Sequence, residues 1–194
     1  MSADDLIIES EAKKASRVLK KGGVIVYPTD TIWGIGCDAT NKKAVDKVYK
    51  LKHRILEKSL IMLICDKNVL QNYVEEVPEM LWDFMGSIDA PLTVIYPQAK
   101  NLPSSIIAPD GTVAIRITAD KFCCSLINEL GKPIVSTSAN ISGDKTPLVY
   151  SMIDEKILKK ADYVVDFKRN RVTEVRPSTI VKITNDGLID ILRP

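Results

Sequence analysis

The sequence predicts an α/β protein whose mixed, twisted β-sheet is flanked by helices. Short apolar stretches that read as buried strands alternate along the chain with segments that have the apolar spacing of amphipathic helices. The turn signal TNDG at 184–187 separates two strand-like stretches and indicates a hairpin, so some neighbouring strands pair antiparallel. A chain of 194 residues suits one domain, and we expect a single domain over residues 1–194.

The predicted helices are marked by apolar spacing and by capping residues. The first runs from about Ser10 to Lys21 and stops at the glycine pair 22–23. The second begins after Asn41, a suitable N-cap, and continues to about Leu51. Further helices are expected over four ranges: 67–74, 78–86, 119–130 and 151–160.

The predicted strands are short runs rich in Val, Ile, Leu, Thr and Tyr. The segment between the first strand and Asn41, residues 29–40, is rich in Thr, Gly and Asp and is therefore expected to be a loop. The strand stretches are VIVYP (24–28), LIMLIC (60–65), LTVIY (92–96), TVAIRI (112–117), PIVSTS (133–138), YVVDF (163–167), STIVKI (178–183) and LIDIL (188–192).

Composition indicates an ordinary soluble globular protein, with 45% hydrophobic and 27% charged residues. No apolar run is long enough for a transmembrane helix, and the acidic N-terminus does not resemble a signal peptide, so we expect a cytoplasmic protein. The four cysteines form no metal-binding spacing and His53 is the single histidine, so we expect reduced thiols and no bound metal.

Positive charge is concentrated in one segment of a chain whose net charge is only +2. Residues 42–58 carry seven Lys or Arg and two acids, whereas residues 75–89 carry five acids and no base. The cluster Lys52, Arg54 and Lys58 lies between a predicted helix and a predicted strand. Such a loop is either solvated surface or a site for an anion.

Several predicted strands also end in small polar residues. Ser, Thr and Asn commonly form turns and caps, so each group alone has an ordinary structural explanation. Arg116 is different, because an arginine within the apolar stretch VAIRI must pair with an acid or face a polar cavity. Together with the cation cluster, it predicts a concave basic cavity whose donors suit phosphates and carboxylates.

Common phosphate-binding motifs are missing from the sequence. It contains no P-loop GxxxxGK[ST], no GxGxxG and no protein-kinase motif set. A Ser/His/Asp hydrolase would have to use His53, which lies between two cations. The residues alone therefore lead to an enzyme or a binding protein for a phosphorylated or carboxylated small molecule.

The ordered set of motifs resembles the YrdC/TsaC family, the L-threonylcarbamoyladenylate synthases. GGVIVYPTDTIWGIGCDA resembles the N-terminal signature of the family, and KHR its Lys-x-Arg motif. TVAIRI, STSANISG and PSTIV resemble the later Thr-Val-x-x-Arg, Ser-x-Asn and Ser-Thr segments. These motifs extend from Gly22 to Arg193 in the order of the family, and the closing arginine in LRP completes them.

The resemblance implies a YrdC-like twisted sheet around a concave basic cavity, in the short single-domain form. It implies that L-threonine, bicarbonate and ATP, with Mg²⁺ accompanying the nucleotide, give threonylcarbamoyl-AMP and pyrophosphate. A partner complex, the tRNA-modifying threonylcarbamoyl transferase, would then modify the adenosine beside the anticodon of tRNA. Contact with tRNA or with double-stranded RNA is a further expectation, and no membrane is involved.

The resemblance also assigns site residues position by position. Threonine contacts are expected from Thr31, Arg116, Ser136 and Ser178. ATP contacts are expected from Arg54, Lys58, Thr112, Ser138, Thr146 and Arg193. The catalytic set is expected to be Lys52, Arg54, Ser138 and Asn140, which act by positioning and charge stabilisation.

Two alternatives remain open at the level of sequence. One is an RNA-binding module that uses the basic cavity without chemistry, which would bind RNA in a salt-dependent way. The other keeps adenylate formation but changes the acyl group, as in carbamoyl-transferring HypF-type proteins. Those proteins are much longer and carry further modules, so the synthase is the preferred hypothesis.

Overall fold

The computed structural model describes residues 2–54, 60–88, 90–170, 178–184 and 186–193. Within these residues, nine strands form a sheet in the order β7-β1-β2-β6-β3-β5-β4-β8-β9. The strands are β1 Ile25–Tyr27, β2 Gly34–Gly36, β3 Ile61–Ile64, β4 Leu92–Tyr96, β5 Val113–Ile117, β6 Ile134–Ser138, β7 Tyr163–Val164, β8 Thr179–Ile183 and β9 Ile189–Arg193.

The sheet is mixed, as predicted. Parallel pairing joins β7 to β1, β3 to β5 and β4 to β8, and the other neighbouring pairs are antiparallel. The predicted hairpin joins β8 to β9, and Gly187 in its turn has a φ of 81°. The helices are α1 Ala3–Lys20, α2 Lys42–Lys52, α3 Met80–Ser87, α4 Lys121–Leu130 and α5 Glu155–Lys160, with 3₁₀ turns at Lys67–Asn72 and Tyr150–Met152.

The first helix begins earlier than the sequence pattern predicted. Its N-cap is Ser2, whose hydroxyl accepts a hydrogen bond from the amide of Asp5, while the Asp5 carboxylate accepts one from the Ser2 amide. This reciprocal pair satisfies two amides that the helix leaves without partners, and negative charge in the first turn suits the helix dipole. The acidic start of the chain is therefore helical, and the predicted start at Ser10 was wrong.

The expected loop at residues 29–40 contains a strand, β2, at its centre. Two of its three residues are glycine, so its propensity for a strand is low. A Cβ atom on Gly36 would lie 2.5 Å from the carbonyl oxygen of Val135 and 2.6 Å from the Tyr27 ring. Tyr27 donates to that same carbonyl oxygen at 3.2 Å. The close approach of these neighbours explains Gly36, and a propensity argument could not detect it.

The two faces of the sheet are covered by different helices. On one face, α1 and α4 pack on Tyr27, Leu63 and Ile134. On the other face, α2 and α5 pack on the strand residues next in sequence, such as Met62 and Val135. Successive strand residues point to opposite faces, so Leu63 and Met62 contribute to different clusters.

None of the described helices combines the length and the apolar character needed to cross a membrane. All four cysteines are free thiols: Cys37 and Cys123 are buried, and Cys65 and Cys124 are partly exposed.

Candidate active site

Cross-strand register brings polar residues from separate strands to one face of the sheet. Leu63 of β3 lies opposite Arg116 of β5, and Arg116 in turn lies opposite Thr93 of β4. Two residues before Leu63, on the same face of β3, Ile61 lies between Ser136 of β6 and Ala114 of β5. Paired residues point to the same face, so these side chains share the face that α1 and α4 cover near Leu63.

A cavity of about 500 Å³ opens on this face. Its floor is apolar, and hydroxyl groups and three arginines stand around it. The described lining residues are Thr29, Thr31, Ile32, Gly34, Arg54, Ile61, Ile95, Ala114, Arg116, Ser136, Thr137, Ser138, Thr146, Leu148, Ser178, Ile180 and Arg193.

Arg116 is the most deeply buried of the three arginines, with a side chain that is 5% exposed. Its Nη2 atom lies 3.1 Å from Oδ1 of Asp30, and its Nη1 atom donates to the Thr31 hydroxyl at 3.4 Å. Its buried Nε atom has no hydrogen-bond partner within the described residues. A buried guanidinium with a spare N–H at a cavity wall is suited to bind an anion.

The turn that carries Thr31 is organised by Thr29. The Thr29 hydroxyl accepts from the amides of Thr31 at 3.1 Å and Ile32 at 3.2 Å, and donates to the Ile32 carbonyl at 2.7 Å. The two threonine hydroxyls lie 3.0 Å apart. This is the local hydrogen bonding expected of threonine in a turn, and it fixes Thr31 beside Arg116.

Next to β4, Ser178 links Thr93 of β4 to Arg193 at the end of β9. Its hydroxyl lies 2.9 Å from the hydroxyl of Thr93, which is fully buried. Arg193 donates to the Ser178 carbonyl from Nε at 3.0 Å and from Nη2 at 2.6 Å. The main chain immediately before β8 therefore holds the Arg193 guanidinium among the residues that line the cavity.

Arg54 reaches the cavity because of how α2 ends. The C-cap residue His53 adopts the left-handed conformation with φ 50°, and the Arg54 amide donates to the Tyr49 carbonyl at 3.0 Å. The reversal closes the helix and places Arg54 among the lining residues. Burial lowers the pKa of Arg54, and the nearby Tyr49 opposes this effect.

Lys52 lies beneath the turn formed by residues 138–140. Its Nζ atom donates to the carbonyl oxygens of Ser138 and Asn140, the second at 2.7 Å, and to Oδ1 of Asn140 at 3.3 Å. Ser138 also donates to Oδ1 of Asn140. Burial lowers the pKa of Lys52 and the positive charge of Arg54 acts in the same direction, whereas the three oxygen acceptors around Nζ favour the protonated ammonium.

The cavity brings together eight of the predicted site residues: Thr31, Arg54, Arg116, Ser136, Ser138, Thr146, Ser178 and Arg193. Among the described residues, Lys52, Asn140 and Thr112 are outside this lining. The Thr112 hydroxyl donates to Asp110 at 2.7 Å, and Asp110 is paired with Lys182 at 2.9 Å. Lys58 lies outside the described residues, so its role in ATP binding stays a prediction.

Sequence reasoning assigned no role to three polar residues around the cavity. Asp30 pairs with Arg116, and Thr93 pairs with Ser178. Lys182 lies opposite Ile95 in the register of β8 and β4, on the face of the cavity floor. Alternation within LTVIY and STIVKI could have placed Thr93 and Lys182 on the Arg116 face, but only if the pairing of the strands had been known.

The described residues contain no group of three or more His, Cys, Asp or Glu side chains that could hold a metal ion. Hydroxyls and guanidinium groups dominate the polar lining. These donors are suited to carboxylate and phosphate oxygens.

Comparison with known proteins gives consistent results along most of the chain. The Sua5/YciO/YrdC family model, described as telomere recombination, matches residues 17–194. The putative threonylcarbamoyl-AMP synthase of Methanocaldococcus jannaschii is 38% identical over 190 residues, which cover 94% of this chain and 87% of that protein. The threonylcarbamoyl-AMP synthase of Pseudoalteromonas translucida is 34% identical over 180 residues, 91% of this chain and 95% of that protein.

A solved structure also matches. The crystal structure of P. abyssi Sua5 complexed with L-threonine aligns with a TM-score of 0.84 and 27% identity, covering 96% of this chain. The alignment covers 54% of the Sua5 chain, so the present chain spans about half of that protein.

Proposed function

The chain belongs to the Sua5/YciO/YrdC family, and on that premise we propose that it is a threonylcarbamoyl-AMP synthase. The enzyme converts L-threonine, bicarbonate and ATP into threonylcarbamoyl-AMP and pyrophosphate. The observation that carries this proposal is the buried Arg116 in the wall of the cavity, with a spare N–H and neighbouring hydroxyls. Such a guanidinium suits a carboxylate, and the chain has relatives that are named for threonylcarbamoyl-AMP or solved with L-threonine.

Arg116 binds the carboxylate of threonine. The ion pair with Asp30 and the hydrogen bond to the Thr31 hydroxyl contact its two terminal nitrogens, so the guanidinium is oriented before substrate arrives. Ser136 and Ser178, both largely buried at the cavity wall, supply hydroxyls for the remaining polar groups of the amino acid. A prearranged set of donors reduces the entropy lost on binding.

The phosphates of ATP lie toward Arg54 and Arg193, with the hydroxyls of Ser138 and Thr146 between them. These four residues line the cavity and come from separate segments of the chain. Lys58 belongs to this set by prediction. Arginine suits phosphate because its planar fork donates two parallel hydrogen bonds.

The chemistry needs fixed cations and neutral donors in place of a nucleophilic side chain. The threonine amine and bicarbonate form a carbamate with loss of water, and a carbamate oxygen attacks the α-phosphorus of ATP. The bond between the α-phosphorus and the bridging oxygen breaks, and pyrophosphate leaves. Negative charge grows on the α-phosphoryl oxygens and on the leaving group, where Arg54 and Arg193 stabilise it.

The finer assignments follow from this reaction. Mg²⁺ would accompany ATP and would help to neutralise the charge of its phosphates. The product is a reactive mixed anhydride, which a tRNA-modifying threonylcarbamoyl transferase complex consumes in the cytoplasm. Direct contact with tRNA would allow the product to be passed on close to its acceptor.

The two sequence-level alternatives receive less support. Relatives along nearly the whole chain are named for threonylcarbamoyl-AMP, which favours threonine over a carbamoyl group as in HypF-type proteins. A non-catalytic RNA-binding module would not require a buried, oriented arginine at the cavity wall.

The deciding experiment measures pyrophosphate release from ATP and Mg²⁺, with and without L-threonine and bicarbonate. Release that requires both co-substrates, with a product of the mass of threonylcarbamoyl-AMP, is the expected result. Pyrophosphate release that is independent of threonine would contradict the proposal. So would a lack of pyrophosphate release under conditions where the protein is folded and binds ATP.

A further inference from the structure

We infer that Lys52 is a positioning residue. It holds the Ser138–Asn140 turn in the conformation that presents Ser138 to the cavity, and it does not itself contact the nucleotide. The inference deepens the proposed function and rests on it wherever activity is the readout. It gives Lys52 and Arg54 different roles, although the two residues share the motif KHR.

The donors of Lys52 are already occupied. A lysine ammonium has three N–H groups. The structure provides three acceptors for them: the Ser138 carbonyl, the Asn140 carbonyl at 2.7 Å and Oδ1 of Asn140 at 3.3 Å. Lys52 is 1% exposed and is outside the described cavity lining, whereas Arg54 lines the cavity. A phosphate oxygen would have to displace one of these acceptors to reach the ammonium.

The same lysine holds the turn through its main chain. Its carbonyl oxygen accepts from the Ser142 amide at 2.8 Å, so residues on both sides of Asn140 are attached to Lys52. Asn140 extends the network, because its Oδ1 atom also accepts from the Ser138 hydroxyl and its Nδ2 atom donates to the Asp144 carbonyl at 2.7 Å. The orientation of the Ser138 side chain therefore depends on an amide that Lys52 fixes.

The arrangement is energetically demanding, which argues for a specific role. Burial of a cation without a carboxylate is costly, and no acidic side chain pairs with Lys52 within the described part of the chain. Two residues earlier, Lys50 is exposed on the same helix. Removal of the Lys52 ammonium would leave the three acceptors without this donor.

The inference predicts a defined kinetic pattern. Lys52→Met is expected to lower kcat by about 10²-fold and to change KM for ATP by less than about threefold, because misplaced supporting groups cost on the order of 10–100-fold in activity. Arg54→Met is expected to raise KM for ATP as well. In a double-mutant cycle, Lys52→Met should have a smaller effect once Asn140→Ala is present, since both changes remove the contact between Nζ of Lys52 and Oδ1 of Asn140 and loosen the same turn.

A second measurement does not depend on catalysis. Amide hydrogen exchange of the substrate-free protein is compared for wild type, Lys52→Met and the matched control Lys50→Met. Exchange at Ser142 and Asn140 is expected to be about tenfold faster or more in Lys52→Met and unchanged in Lys50→Met, because the turn opens without its ammonium. Exchange in α4, which packs on the opposite face of the sheet from α2, should remain unchanged in both variants.

Two results would overturn the inference, and a third would refute only the proposed function. Unchanged exchange at Ser142 in folded Lys52→Met, or kinetic losses that add in the double-mutant cycle, would overturn the inference. If Lys52→Met does not fold, Asn140→Ala carries the exchange test, since it removes one of the three acceptors, and unchanged rates there would equally overturn it. A wild-type protein that makes no threonylcarbamoyl-AMP would refute the proposed function, while the exchange result would stand independently.

Discussion

One face of the sheet has two halves that differ in how their surface is buried. In the closed half, α1 and α4 cover Tyr27, Leu63 and Ile134, which belong to one hydrophobic core cluster. In the open half, around Ile61, Ala114 and Ile95, no described helix covers the strands and the cavity takes its place. The boundary falls between two paired residues, Leu63 of β3 and Arg116 of β5.

The comparison shows how a functional site can be built on a regular sheet. Both halves use the same alternation of side chains, so nothing in strand geometry separates them. The difference is that the closed half excludes water with a layer of helices, whereas the open half keeps polar groups oriented by hydrogen bonds among themselves. In this site, those hydrogen bonds link Arg116 to Thr31 and Thr93 to Ser178, and an ion pair joins Arg116 to Asp30.

The largest expected effect is at the boundary. Arg116→Met should lower kcat/KM for threonine by about 10³-fold, roughly 4 kcal/mol, because a buried charge pair with the substrate carboxylate is lost. Steady-state kinetics with varied threonine measure this loss. Arg17→Met, at an exposed position of α1, is the matched control and should retain wild-type kinetics. A loss of kcat/KM below tenfold in Arg116→Met would contradict the proposal that Arg116 binds the threonine carboxylate.

The next effect compares one substitution in the two halves. Leu126 of α4 is 0% exposed in the closed half, and Leu148 is 44% exposed at the cavity. Leu126→Ala should reduce the free energy of unfolding by about 3 kcal/mol through the loss of buried surface and the resulting void. Leu148→Ala should change it by less than about 0.5 kcal/mol.

Urea unfolding and substrate KM values together test this contrast. Leu126→Ala should leave KM for threonine and ATP near wild type in the folded protein, whereas Leu148→Ala should alter at least one of them. Equal losses of stability in the two variants would mean that the halves are not distinct in packing.

A smaller effect concerns the hydrogen bond between Ser178 and Thr93. Ser178→Ala should reduce the free energy of unfolding by about 1–2 kcal/mol, because the fully buried Thr93 hydroxyl loses its partner. Adding Thr93→Val removes the stranded hydroxyl and should restore most of the stability. Threonine kinetics should stay impaired in the double variant if Ser178 contacts the substrate, and recovery of both properties would assign Ser178 a structural role alone.

Much of the closed half could be predicted from the sequence, because its causes are local. The α4 segment and the buried strand runs are recognisable from spacing and propensity, as is α2 with its N-cap Asn41 on the other face of the sheet. The early start of α1 was missed although its cause is also local, since the capping pair Ser2 and Asp5 precedes the apolar pattern used to place the helix.

The open half depends more on pairing between distant strands. Arg116 could be singled out because a charge in an apolar strand is unusual, and the resemblance supplied the residues around it. Thr93 and Lys182 could not be placed, since their positions follow from the β4–β5 and β4–β8 registers. The strand β2 was missed because two of its three residues are glycine, and the contact with the Tyr27 ring that requires Gly36 has no local signal. Contacts of this kind are decided by tertiary packing.

The smallest predicted effect lies at the edge of the open half, where Asp110 accepts hydrogen bonds from Thr112 and Lys182. The hydrogen bond from the Thr112 hydroxyl is the largest cause that lowers the pKa of Asp110 to about 2, from an ordinary value of 3.8. Because the folded-state pKa is below the unfolded value, this carboxylate stabilises the protein above about pH 4, and the contribution is lost as the pH falls toward 2.

Asp110 is largely exposed, so water and salt screen the interaction and the contribution should be below about 1 kcal/mol. The pH dependence of urea unfolding between pH 5 and 2, compared for wild type and Asp110→Asn, measures it. The variant should be slightly less stable at pH 5, and the two curves should converge near pH 2. A constant gap over this range would show that Asp110 acts through packing of the turn. That result would mean that packing stabilises the edge of the open half, as it does the closed half.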